Sequence, residues 1–167
     1  GYLEQDNLAL REQLRSYAEW AQIKKQSRFG EYHHLPALVI GHDPFSASRT
    51  VWLDVGADDG VTENAPVIAA KGLVGRVVEV QPGSSQVLLL TDPHFHLDVM
   101  TERTRYRAML GGQQGYLGLN RYAHLTKLEF LKSNEEIKPG DHLITTGYSP
   151  IYPAGLSVGI VQSIKTD

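Results

Sequence analysis

One boundary in this chain constrains its fold more than any other. Residues 2–28 contain neither Gly nor Pro, and everything beyond Gly30 is cut by Gly, Pro, Asn and Asp into runs of four to nine residues. The first stretch is rich in Leu, Ala, Glu, Gln, Arg and Lys, all good helix formers. It predicts one uninterrupted helix of roughly 40 Å at 1.5 Å per residue. Leu3, Leu10 and Tyr17 are spaced by seven, as are Asn7, Leu14 and Ala21. They fall on the d and a positions of a heptad, and Asn7 at an a position suits a parallel dimer in one register. Residues 1–34 are therefore expected to be a coiled-coil helix, with Leu3, Asn7, Leu10, Leu14 and Tyr17 at the dimer seam. An amphipathic helix docked on its own domain is the plainer alternative.

The second stretch reads "PALVIGHD", "RTVWLDVG", "APVIAA", "GLVGRVVEV", "SQVLLLTD", "HLDVMTE", "RAMLGG", "GYLGLN", "LTKLEFL", "DHLITTG" and "LSVGIVQSI". No helical pattern separates these strands, so a barrel or sandwich is expected and a parallel α/β sheet is not. "GVTENAPVIAAKGLVGRVVEV" is echoed in order by "EIKPGDHLITTGYSPIYPAGLSVGIVQSI", which suggests two related small β-domains. The predicted fold class is all-β with an N-terminal helix: a coiled-coil helix followed by two small six-stranded-type β-barrels. The first barrel is placed at 35–83 with 149–167, discontinuous because "GLSVGIVQSI" echoes "GLVGRVVEV", and the second at 84–148.

Five stretches look chemical. In "LTDPHFHLDV", Asp92, His94, His96 and Asp98 recur at every second position and would share one strand face. Asp92-Pro93 is also a turn dipeptide, and Phe95, Leu97 and Val99 give the alternation of a half-buried strand. No further ligand motif accompanies the histidines, so turn plus strand is the reading. "GLSVG" matches G-x-S-x-G around Ser157, with His42 and Asp54 as nominal triad partners. A nucleophile elbow requires a helix after the serine, and a strand follows here. "KGLVGRV" has glycines beside Lys71 and Arg76, but a phosphate loop also needs a helix next. A hairpin with Gly72 in its turn and Gly75 at a bulge fits better. The pairs Asp58/Asp59 and Glu135/Glu136 flank turns and read as solvated acids. No catalytic or metal site and no cofactor is predicted.

The chain contains no Cys, which excludes disulfides and thiol chemistry. Its formal charge is -3, and no block of Lys and Arg provides a nucleic-acid footprint. No apolar run approaches the ~20 residues that span a bilayer.

Taken in order, "DNLALREQL", "WLDVGADDGV", "APVIAAKGLVGRVVEV", "SSQVLLLTDP", "IKPGD" and "TTGYSPIYPAGLSVG" resemble the motifs of the MreC family of bacterial rod-shape-determining proteins. Asp6 stands where the family's coiled-coil signature has Glu. Tyr148 stands where a short aliphatic residue is usual, and "GQQGYLGLNRY" fits loosely. The resemblance implies a short cytoplasmic tail and one transmembrane helix ahead of this fragment, a dimerising coil, and two barrels at the extracytoplasmic, or periplasmic, face of the inner membrane. It implies a non-enzymatic scaffold of the cell-elongation complex. Its partners would be the elongation-specific transpeptidase (a class B penicillin-binding protein), MreD, the RodA glycosyltransferase and, indirectly, MreB. Higher self-assembly is a second reading, and a barrel-type serine hydrolase a third. The resemblance gives Gly72, Gly75, Gly140, Gly147, Pro153, Gly155 and Gly159 turn and bulge positions, with Asp92 and Asp141 as turn acids. Candidate partner anchors are Trp52, Tyr116, Tyr122, Tyr148 and Tyr152, since exposed aromatics dominate interface energetics.

Overall fold

A computed structural model describes residues 2–26, 32–42, 48–111, 127–130 and 137–164. The chain divides into two compact units, 1–36 and 37–167. The first unit contains helix α1, Tyr2–Gln26. Leu3, Leu8, Leu10, Leu14 and Tyr17 on it are all exposed. No helix among the described residues is long and apolar enough to cross a membrane.

Among the described residues the second unit holds ten strands: β1 Val39–His42, β2 Thr50–Leu53, β3 Pro66–Ala69, β4 Gly72–Val80, β5 Ser85–Leu89, β6 His96–Thr101, β7 Arg107–Gly111, β8 Lys127–Phe130, β9 His142–Thr145 and β10 Ser157–Ile160. They form two five-stranded sheets, ordered β1-β2-β5-β4-β3 and β10-β9-β6-β7-β8. Every pairing is antiparallel. The mostly-β class with a leading helix is thus as the sequence predicts.

Alternation decides what each sheet buries. In β4, Leu73, Gly75 and Val77 are buried and their neighbours are less so. Val77 and Val87 face one another across β4 and β5 and pack with Leu53. Burial of each such side chain contributes about 1.5–3 kcal/mol. In the second sheet Leu97, Val99 and Thr101 of β6 point inward, as do Ala108 and Leu110 of β7.

Strand membership differs from the expected division at 84 and 149. β5 lies between β2 and β4 in the first sheet, because Gln81 N–H donates to the Ser84 carbonyl (2.8 Å) and turns the chain straight back along β4. β10 pairs with β9 in the second sheet and does not return to the first. The echo between the two motifs has another physical source. β3–β4 and β9–β10 are both hairpins at a sheet edge, with the first strand outermost in one and the second outermost in the other.

The sheets meet where β4 and β10 approach each other. Gly72 has φ +127°, and a Cβ there would stand 2.2 Å from the Ser157 carbonyl oxygen. Only glycine fits both the backbone and the space.

Candidate partner-binding surface

Turn chemistry fixes the loops that carry the predicted residues. Asp92 is fully buried at the start of the turn before β6. Its carboxylate accepts Arg49 N–H at 2.6 Å and His94 N–H at 2.8 Å, and His94 Nδ1 lies 3.1 Å away. A short polar side chain that closes its own turn is the usual role of Asp at such a site. His94 and His96 are exposed, and Asp98 accepts from Arg107 at 2.7 Å. Asp92 and His94 thus pair with each other, and Asp98 pairs with Arg107 on the neighbouring strand. Asp59 works as Asp92 does: it accepts Gly56 N–H at 2.9 Å in the 3-10 turn Ala57–Asp59. Glu135 and Glu136 lie outside the described residues.

Asp141 anchors the turn before β9. Arg103 grips it through two parallel bonds, both 2.8 Å, and Lys138 N–H donates at 2.9 Å. The Arg103 guanidinium first, and the Lys138 amide second, hold its carboxyl down at about 2. Gly140, Gly147 and Gly155 turn the chain with φ of 92°, 78° and 82°. Thr145 closes the long β9–β10 connection. Its buried hydroxyl donates to the Pro153 carbonyl (2.5 Å) and accepts Leu156 N–H (2.9 Å). A Cβ on Gly147 would meet that of Ala154 at 2.5 Å, so this loop folds tightly on itself. Gly75 and Gly159 lie within β4 and β10, each beside a register shift of its ladder.

Ser157 is exposed on β10 in the second sheet, and His42 on β1 in the first. Asp54 Oδ1 accepts Leu38 N–H at 2.7 Å, which holds the chain entering β1. Nothing here draws the three nominal triad members together. Among the described residues no group of three His, Cys, Asp or Glu could hold a metal ion.

The aromatic candidates separate clearly. Tyr148 is 72% exposed, and the Arg107 guanidinium lies over its ring, 4.3 Å from the centroid. Arg107 in turn bonds Asp98, so acid, base and ring form one stack. Trp52 is half-buried on β2. Tyr152 is buried, with its ring centroid 6.4 Å from that of Phe95. It belongs to the core and has no surface to offer; burial pushes its phenol pKa up. Tyr116 and Tyr122 lie outside the described residues. Sequence reasoning missed Arg107, and singled out Asp98 only as part of the alternating stretch. Their positions on paired strands were readable from the alternation, but the cross-strand register was not.

Of the predicted seam, Leu3 (81%), Leu10, Leu14 and Tyr17 present open apolar surface. Asn7 Nδ2 donates to the Leu3 carbonyl one turn back, at 3.1 Å.

Comparison with known proteins sets this surface in context. Residues 39–167 match the family model "Rod shape-determining protein MreC, barrel core". The cell shape-determining protein MreC of Caulobacter vibrioides is 40% identical over 116 residues, 70% of this chain and 31% of that protein. The Escherichia coli protein of that name is 33% identical over 167 residues, all of this chain and 41% of that protein. The chain thus spans less than half the length of these relatives. A solved MreC structure superimposes with a TM-score of 0.74 at 31% identity, covering 100% of this chain and 85% of that one. A structure described as the major periplasmic domain of the cell shape-determining filament MreC gives 0.62 at 28% identity, covering 78% and 77%. A third, the complex between PBP2 and MreC from Helicobacter pylori, gives 0.57 at 20% identity over 76% and 75%, a likeness of fold alone. With the family's barrel core matched over residues 39–167 and a solved MreC structure superimposing on the whole chain, this chain belongs to the MreC family of rod shape-determining proteins.

Proposed function

We propose that the chain is the extracytoplasmic portion of a non-enzymatic scaffold of the cell-elongation complex. It binds the elongation-specific class B penicillin-binding protein and biases that synthase toward its active state. The observation that carries this reading is the match of residues 39–167 to the family's barrel core, a fold that in Helicobacter pylori is in complex with PBP2. A membrane helix preceding this segment tethers the scaffold to the inner membrane. MreD, RodA and, indirectly, MreB complete the assembly. Two copies pair in parallel through the heptad of α1, a reading supported by the exposed Leu3, Leu10, Leu14 and Tyr17. Two barrels, one around each sheet, present the partner surfaces.

The test is a titration of the chain over the immobilised transpeptidase ectodomain of the same bacterium, beside a version lacking residues 1–30. Saturable binding by both forms supports the scaffold and puts the contact on the barrels. Binding by the long form alone assigns it to avidity from the coil. Absence of binding by either, with the transpeptidase folded and active, rejects the reading.

One observation favours a second reading, self-assembly. β1 is an edge strand whose Val39 and Ile40 are 63% and 61% exposed. Open apolar edges template pairing with another chain. Sedimentation that stays dimeric over a wide concentration range rejects it.

A further inference from the structure

The charges beside the apolar stripe of α1 say more than the stripe itself. Leu3, Leu10, Leu14 and Tyr17 lie open along the helix, at the d and a positions of its heptad. Asp6 then stands at a g position and Arg11 at the e position five residues later, and both side chains are exposed. The next g and e residues, Gln13 and Ala18, are uncharged. Charges on one helix pair at a spacing of three or four. Arg15 and Glu19 do so, at 3.3 Å. No charged residue stands three or four positions from Asp6, and the one so placed about Arg11 is Arg15, of like sign. Their own helix therefore gives neither Asp6 nor Arg11 an opposite charge at pairing distance.

A second helix of the same sequence supplies both. In a parallel, in-register pair a g residue meets the e residue five positions on in the other helix. Asp6 of each copy then meets Arg11 of the other, and two-fold symmetry makes the contact twice. The same register sets Asn7 beside Asn7, where one amide can donate and the other accept. Antiparallel pairings set e against e and g against g. One that seats Leu10 on Leu14 brings the two Arg11 side chains together and puts Asn7 on Tyr17. Sliding that pair by one heptad sets Arg11 beside Glu4, but each Asn7 amide then faces Leu10, which offers it no hydrogen bond. Of these arrangements, the parallel one alone satisfies Asp6, Asn7 and Arg11 together.

We propose that Asp6 and Arg11 select a second copy of this helix, parallel and in register, through two reciprocal Asp6–Arg11 ion pairs across the seam. The proposal rests on the reading of α1 as a coiled coil and names what sets its orientation.

The test is sedimentation of the whole chain as wild type, D6R, R11D, D6R/R11D and L10S/L14S, at about 50 and about 500 mM salt. At low salt each single reversal sets like charges face to face twice and is expected to weaken dimerisation at least about fivefold. The double reversal restores opposite charges and is expected to return to within about twofold of the wild type. High salt is expected to shrink these differences. R11D also places an acid four residues ahead of Arg15, which favours the helix itself, so a weaker R11D dimer cannot come from a weaker helix. L10C, in a chain with no other Cys, is expected to oxidise to a disulfide between copies, because the parallel register sets the two d positions face to face. Dimerisation that both single reversals retain, or a loss that the double reversal does not restore, overturns the proposal and leaves the coil standing. So does a dimer in which L10C stays uncrosslinked under oxidation. A wild type that stays monomeric up to millimolar concentration, or a dimer that L10S/L14S retains, overturns the coil reading and the proposal with it.

Discussion

Gly72 and Ser157 are packed backbone to backbone: a Cβ on the glycine would stand 2.2 Å from the serine carbonyl oxygen and 3.0 Å from its Cβ. The obstacle is main chain of an edge strand and cannot rotate away. Gly72→Ala is expected to destabilise the chain by roughly 3 kcal/mol, combining backbone strain at positive φ with the clash. Gly140→Ala supplies the comparison. It has φ +92° but nothing within 4 Å of its Cβ, so about 1–2 kcal/mol is expected. Denaturant midpoints of the two variants measure the difference, and an equal cost would mean that the contact between the sheets contributes nothing.

Asp141 makes stability depend on acid. Its carboxyl is lowered from 3.8 to about 2 by Arg103 and by the Lys138 amide. A folded pKa below the unfolded one means that the ionised form favours the native state. This contribution is full above pH 4 and fades as pH falls from 3.8 toward 2. Arg103→Ala is expected to raise the Asp141 pKa and shrink the loss between those values. Carbon-detected titration of the Asp141 carboxyl, with urea midpoints at pH 5 and pH 3, checks both halves.

Thr145 tests the loop that presents Tyr148. Thr145→Val keeps shape but strands the Pro153 carbonyl and the Leu156 amide. A loss of about 2–3 kcal/mol is expected. Thr145→Ser retains both bonds and is expected to cost about 1 kcal/mol for the missing methyl. Thermal unfolding of the pair orders them, and a valine variant as stable as the serine one would remove the hydroxyl from the account.

The core of the second sheet yields two opposite outcomes from neighbouring rings. Phe95 is fully buried, and Phe95→Ala is expected to cost about 3–5 kcal/mol. The Tyr152 hydroxyl is buried without a hydrogen-bond partner among the described residues. Tyr152→Phe removes a desolvated polar atom, so the variant is expected to equal the wild type or exceed it by about 1 kcal/mol. Calorimetry that shows Tyr152→Phe clearly destabilised would mean that the hydroxyl is satisfied in solution, for instance by a bound water.

Local pattern carried much of this fold into view. The Gly- and Pro-free opening marked α1, and the alternation of Phe95, Leu97 and Val99 marked an inward strand face. Asp92 was legible as a turn residue because Asp-Pro turn chemistry is local. What the sequence hid was long-range. Whether β10 joins β9 or the first sheet depends on pairings between distant residues, and the echo of "GLVGRVVEV" suits either. Tyr152 and Tyr148 are four residues apart, yet one is buried and the other exposed. Only the fold of the β9–β10 loop, set by Thr145 and Gly147, separates them. The Asp98–Arg107–Tyr148 stack draws on three separate segments, so no window of sequence contains it.

The order of strands along the chain has a consequence for how the molecule is made. All strands of the first sheet lie between residues 39 and 89, and all described strands of the second between 96 and 160. A chain emerging from its N-terminus can complete the ladders of the first sheet while the second is still being delivered, and segments that fold as they appear avoid competing pairings. β10 comes last, and it is the strand that seats against Gly72. The contact between β4 and β10 therefore forms only when the final strand has arrived, and a molecule truncated before β10 would lack it.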